Sequence, residues 1–259
     1  MILDEIIAHK RAEVDAQQAR TPLAQLRRQA ETATRSRSFR SVLRRGNRKR
    51  PRLLAEIKFA SPSEGVIRKS GGVGALAGNY EAAGASALSV LTDEKYFKGA
   101  TRHLRDAKKA VSLPVLRKEF IISEYQIWES RAIGADAILL MSQILDRNQL
   151  KDMLAQSAAL GMDVLVEGHT WHEIEKVVNS GATLIGINNR NFKTLKTDLA
   201  TTAKRIEQIP CDRVVVSQSG IRSRGDVESL KDLPVDAIQV GTSLMLKKDL
   251  AAAVKELMS

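Results

Sequence analysis

The chain has 259 residues, 43% hydrophobic and 27% charged, which is ordinary for a soluble globular protein and enough to bury a large core. No apolar run approaches the roughly 18 residues of a membrane span, and the first ten residues carry Asp4 and Glu5 without the apolar core of a signal peptide. One cysteine, Cys211, excludes an internal disulfide, and the net charge of +11 gathers between Arg35 and Arg52 without a recognisable nucleic-acid module.

These features place the chain in the cytoplasm, with neither membrane nor nucleic acid expected as a partner. Residues 2–20 read as an amphipathic helix, with Ile2, Leu3, Ile6, Ile7 and Val14 on one face and Lys10, Arg11, Glu13 and Asp15 elsewhere. Thr21-Pro22 breaks or restarts it, and residues 38–43 suggest a further short helix. From residue 53 an apolar strand, a helical pattern and a Gly-containing turn recur. The spacing predicts strands at 53–58, 87–91, 114–118, 137–141, 163–167, 184–188, 213–217 and 236–240. Helices are expected near 73–84, 100–111, 123–133, 147–160, 171–180, 197–208, 223–232 and 248–258. Gly84, Gly134 and Gly181 stand where a left-handed cap would end a helix. Alternation of strand and helix means a parallel sheet with right-handed crossovers, and eight units make a closed (β/α)8 TIM barrel. An open doubly wound sheet is the alternative, but no GxGxxG follows the first strand. The chain thus reads as a single domain over 1–259, with 1–52 an N-terminal helical extension and 53–259 the barrel.

In such a barrel the chemistry gathers at the carboxyl ends of the strands. Those ends read Glu56 and Lys58; Thr92 and Asp93; Lys118, Glu119 and Phe120; Glu167; Asn188, Asn189 and Arg190; Ser217 to Gly220; and Gly241 to Ser243. Any one of these is ordinary in a loop, but together they make a ring of convergent polar groups. Glu56 and Lys58, two residues apart, leave the same side of the first strand, so they must pair or face a wet cavity. Ser219-Gly220 and Gly241-Thr242-Ser243 follow the seventh and eighth strands, where barrels commonly hold phosphate at the start of a short extra helix.

At these residues the chain resembles the indole-3-glycerol phosphate synthase family. The resemblance is carried by Ala55-Glu56-Ile57-Lys58 with Ser61-Pro62-Ser63, by Ser89 to Glu94, by Leu113 to Lys118 with Phe120, by Leu165-Val166-Glu167 and by Gly186 to Asn191. It covers nearly the whole chain. It implies a lyase of tryptophan biosynthesis that closes the ring of 1-(2-carboxyphenylamino)-1-deoxyribulose 5-phosphate with loss of CO2 and water. It also implies an anionic phosphorylated substrate, no metal or organic cofactor, and other tryptophan-pathway enzymes as partners. By this likeness Lys118 protonates the ketone oxygen, while Lys58 with Glu56, and Glu167, serve the remaining proton transfers. Asn188 bonds the substrate, Arg190 holds loop and carboxylates, and Phe120 and Leu139 flank the aromatic ring. Ser61, Ser219, Gly220, Gly241 and Thr242, with Lys58, meet the phosphate.

Three positions depart from the family pattern: Gln218 stands where a glutamate is usual, Gln239 where an apolar residue is usual, and Glu64 where a lysine is common. A neutral amide at 218 leaves the catalytic set one carboxylate short, and Gln218→Glu is expected to raise turnover. The alternative reading is a diverged or impaired paralogue that binds a related phosphorylated ligand.

Overall fold

The computed structural model describes residues 2–69 and 71–259. Eight parallel strands close into a barrel in chain order: β1 (Arg52–Ile57), β2 (Ala87–Leu91), β3 (Val115–Lys118), β4 (Ala137–Met141), β5 (Asp163–Gly168), β6 (Leu184–Asn188), β7 (Val214–Gln218) and β8 (Ala237–Val240), which pairs back with β1. This is the expected (β/α)8 barrel, its strand limits within a residue of those read from sequence. The strands are aliphatic and buried along almost their whole length, as a parallel sheet sheathed by helices requires.

Three helices precede the barrel: α1 (Ile2–Arg20), α2 (Leu23–Glu31) and α3 (Phe39–Leu43). The sheath follows with α4 (Val73–Ala82), α5 (Thr101–Ala110), α6 (Glu124–Ala132), α7 (Arg147–Ala159), α8 (Trp171–Asn179), α9 (Ala200–Ile206) and α10 (Arg224–Ser229). The short α11 (Thr242–Met245) and the terminal α12 (Leu250–Met258) complete it. Local chemistry marks both ends of these helices. Asp146, Thr170 and Ser223 form capping boxes with Gln149, Glu173 and Asp226, satisfying the first free N–H groups of α7, α8 and α10. Gly84, Gly134 and Gly181 turn the chain at φ of 90°, 90° and 87°. A Cβ there would touch nothing, so the left-handed backbone, and not crowding, calls for glycine.

Leu54, Leu116, Leu139, Leu165, Leu184 and Val216 fill the barrel interior, and a second shell of buried side chains lies between strands and helices. The extension runs from one end of the barrel to the other. α1 meets the carboxyl ends of the strands, α2 packs on α6, and α3 closes the amino end, where Phe39 and Leu43 join the inner core. Three aspartates at the starts of β4, β5 and β8 hold this last segment by its backbone. Asp136 accepts from Arg37 N at 2.7 Å, Asp163 from Phe39 N and Arg40 N at 2.8 Å, and Asp236 from Arg45 N at 2.9 Å. The basic stretch is used in the same way. Arg37 donates to Val111 O and Leu113 O, and Arg45 to Lys231 O and Leu233 O, satisfying carbonyls where helices end.

Two features differ from the sequence reading. Lys10, placed there outside the apolar face of the first helix, is 1% exposed and stands between Ile6 and Val14 on the buried stripe of α1. Its charge is met by Glu13, Asp93 and Glu119 at 2.9, 3.1 and 3.0 Å. The loop after β1 also folds into a small antiparallel hairpin, Ala60–Ser61 with Gly65–Val66. Among the described residues no helix is long and apolar enough to cross a membrane.

Candidate active site

A cavity of about 440 Å³ opens at the carboxyl end of the barrel, a size suited to a small organic substrate. All the catalytic candidates, Glu56, Lys58, Lys118, Glu167, Asn188 and Gln218, line it. So do the binding candidates Ser61, Phe120, Leu139, Arg190, Ser219, Gly220, Gly241 and Thr242. The residues come from every quarter of the chain, and the barrel register brings them together because inward positions at the strand ends all face one axis.

Two lysine–glutamate pairs stand on the cavity floor. Lys58 Nζ lies 2.7 Å from Glu56 Oε1, and Lys118 Nζ lies 3.0 Å from Glu167 Oε2. Both carboxylates are nearly fully buried, whereas the ammonium ends keep some exposure toward the cavity. Burial alone would push the Glu56 carboxyl up; Lys58 and Lys118, with hydrogen bonds from Lys58 and Gln239, outweigh it and hold Glu56 below the usual carboxylate value. Glu167 is fixed from its other side, where Asn188 Nδ2 donates to Oε1 at 2.8 Å. Asn188 Oδ1 in turn accepts from Arg190 N at 2.9 Å. Arg190 is thus tied to Asn188 through its backbone N–H, while the two lysines take the carboxylates.

The rim beyond β7 and β8 is glycine-rich and carries hydroxyl side chains. Ser219 and Gly220 adopt successive left-handed conformations, φ 68° and 87°, which turn the chain sharply after β7. Asn189 holds that turn by donating to Ser219 O at 3.0 Å, and is itself tied to Ser217 and to Thr202 of α9. At Gly220 a Cβ would collide with Thr197, and at Gly241 with Glu56, so both positions require glycine. Thr242 opens α11 immediately afterwards, and Arg222 and Lys247 add positive charge to this end of the cavity. Phe120 and Leu139 lie in the apolar part, where the Phe97 ring approaches that of Phe120 with 6.0 Å between centroids.

The sequence reading counted Thr92, Asp93 and Glu119 among the polar strand ends but missed that they form a buried layer with Lys10. Glu119, between Lys118 and Phe120, is buried and accepts from Phe120 N at 2.8 Å, Thr92 Oγ1 at 2.7 Å and Lys10 at 3.0 Å. Burial opposes its charge, but Lys10, Arg117 and these donors hold the Glu119 carboxyl below its ordinary value. Arg117 lies equally deep, 2.6 Å from Glu129. The signal for Lys10 was present in the spacing of Ile6, Lys10 and Val14, four residues apart on one helical stripe. Gln239 was noted only as a departure; it donates to Glu56 and accepts from Gln218.

Fold and site together define a (β/α)8 enzyme acting on a phosphorylated small molecule. Comparison with known proteins makes this specific. The family model described as indole-3-glycerol phosphate synthase matches residues 3–257. The indole-3-glycerol phosphate synthase of Desulfosudis oleivorans is 44% identical over 259 residues, covering 100% of this chain and 98% of the relative. That of Burkholderia cenocepacia is 46% identical over 248 residues, 94% of each chain. Among solved structures, 3-hexulose-6-phosphate synthase from Salmonella typhimurium superposes with a TM-score of 0.63 at 11% identity, over 80% of this chain and 96% of that one, a likeness of fold alone. The chain belongs to the indole-3-glycerol phosphate synthase family.

Proposed function

We propose that this chain is an indole-3-glycerol phosphate synthase, a carboxy-lyase of tryptophan biosynthesis. It would convert 1-(2-carboxyphenylamino)-1-deoxyribulose 5-phosphate into indole-3-glycerol phosphate, CO2 and water. The observation that carries this reading is the pair of lysine–glutamate contacts on the floor of one cavity, beside the glycine-rich turns that follow β7 and β8. The phosphate would sit against the Ser219-Gly220 and Gly241-Thr242 backbone, near Lys58 and Ser61. The aromatic ring would lie between Phe120 and Leu139.

In this pose the ring carbon bearing the carboxylate attacks the ketone carbon, and the Lys118 ammonium gives its proton to the ketone oxygen as the bond forms. Loss of CO2 restores the aromatic ring, because the electron pair of the breaking bond returns to it. The resulting hydroxyl must leave as water. Lys58, held by Glu56, protonates the departing hydroxyl as its C–O bond breaks, and Glu167 accepts the proton released as the indole double bond forms. Asn188 keeps Glu167 oriented through these steps, and Arg190 balances the substrate carboxylate. Other enzymes of the pathway are the protein partners that this role implies.

Purified protein mixed with the substrate should generate the fluorescence of an indole product. A folded protein that releases neither indole product nor CO2 would overturn the assignment and favour a non-catalytic relative that keeps the phosphate pocket.

A further inference from the structure

Three side chains on adjacent strands form a directional chain across the cavity floor. The register sets Gln239 opposite both Gln218 on β7 and Leu54 on β1. Glu56 is the next inward residue after Leu54, so Gln239 stands between Gln218 and Glu56. A carboxylate can only accept hydrogen bonds, whereas an amide has one accepting and one donating end. Glu56 therefore dictates the orientation of both glutamines. Gln239 must turn Nε2 to Glu56, which it does, leaving its Oε1 to face β7. Gln218 must then offer Nε2 to that oxygen, which it does at 2.7 Å. Its own Oε1 ends the chain, buried without a partner and resting over Gly186, where a Cβ would collide with it.

We infer that Gln239 is a positioning residue for Glu56, and that Gln218 acts through it, so that the two amides work as one unit buttressing the Glu56–Lys58 pair. This rests on the synthase reading above. Residue 218 is then the outer support of a carboxylate two strands away, not a substitute for a base. The expectation that Gln218→Glu raises turnover is thereby reversed. A carboxylate at 218 would face the Oε1 of Gln239. The amide could relieve that repulsion only by turning round, which would put its oxygen against Glu56. With an apolar residue at 239 the conflict disappears, because a carboxylate at 218 then has no amide oxygen in front of it.

The experiment is a double-mutant cycle on the full chain: wild type, Gln239→Leu, Gln218→Glu and the double variant. Turnover, KM, the pH dependence of kcat/KM and the melting temperature are measured for each. Each single change should lower kcat by roughly tenfold while KM stays within about threefold of wild type, since the phosphate contacts are untouched. In Gln239→Leu the acidic limb of the profile should move to higher pH. Glu56, faced by Lys58 from its own strand, Lys118 from β3 and Tyr80 from α4, loses its one amide donor. The double variant should be at least about tenfold faster than the product of the two single losses. Additive losses, a gain from Gln218→Glu alone, or an unmoved acidic limb in Gln239→Leu would each overturn the inference. Should Gln239→Leu fail to fold, Gln239→Met, with a side chain of the same length, replaces it. If wild type forms no product, the synthase reading fails, and the coupling is read from the melting temperatures instead: non-additive shifts support the relay, and additive shifts overturn it.

Discussion

In the proposed mechanism the chemistry depends most directly on Lys118. It ends β3 beside Phe120, with its ammonium on Glu167. Lys118→Met keeps the stem and removes the proton, so kcat should fall by roughly 10²–10⁴-fold with a much smaller change in KM; a steady-state comparison checks this, and near-normal turnover would pass the role to Lys58. Gly241 offers a second test. A side chain there collides with Glu56 before it reaches any phosphate, so Gly241→Ala should lower kcat as well as phosphate-ester affinity, measured by kinetics and calorimetry. At this scale the candidate site was largely legible, because Glu56, Lys118, Glu167 and Asn188 mark strand ends within recognisable motifs. The Gln218–Gln239 contact was not. It depends on the register between β7 and β8, which one sequence does not reveal.

At the scale of elements, α1 belongs to the site through Lys10. Glu119, Asp93 and Glu13 outweigh the burial that would strip its proton, and hold Lys10 above the ordinary lysine value. Lys10→Met would leave Asp93 buried without its cation and Glu119 with Arg117 alone, a change that typically costs about 3–5 kcal/mol, visible as a lower urea midpoint. Because Glu119 fixes the Phe120 amide between α1 and the catalytic strand, turnover should fall too, and Lys10→Arg should recover part of both. Acid acts on the strand ends that face α1. Glu119 and Glu56 both have folded values below those of the unfolded chain. The unfolded state therefore takes up protons first, and the stability these groups supply is complete above the ordinary carboxylate range of about 4. It drains away as pH falls through the lower folded values, so a melting series from neutral to acid should show its steepest loss below that range. The helices and strands themselves were readable from period and glycine placement. The hairpin after β1 was not, because Ser61-Pro62-Ser63 carries only turn signals and its pairing is two residues long.

At the scale of the molecule the two ends of the barrel divide the labour. The carboxyl end carries the cavity, and the amino end is sealed by α3 and by Asp136, Asp163 and Asp236. Asp163→Ala removes the acceptor for two backbone N–H groups, at a cost of about 1–3 kcal/mol. It should lower the melting temperature by several degrees yet leave kcat and KM near wild type, and a comparable loss of turnover would show that the ends are not independent. The barrel was legible because eight similar units announce closure. The path of the first fifty residues was not, since their partners are aspartates that look like ordinary strand approaches. That path also imposes an order of events on a newly made chain. Residues 37–45 leave the ribosome long before their partners: Arg45 docks on Asp236, 191 positions later, and β1 finds its second neighbour only in β8. At ordinary synthesis speeds this is a wait of roughly 10–40 s. Throughout it, Phe39 and Leu43 have no finished barrel floor to cover, and chaperone demand should be greatest then.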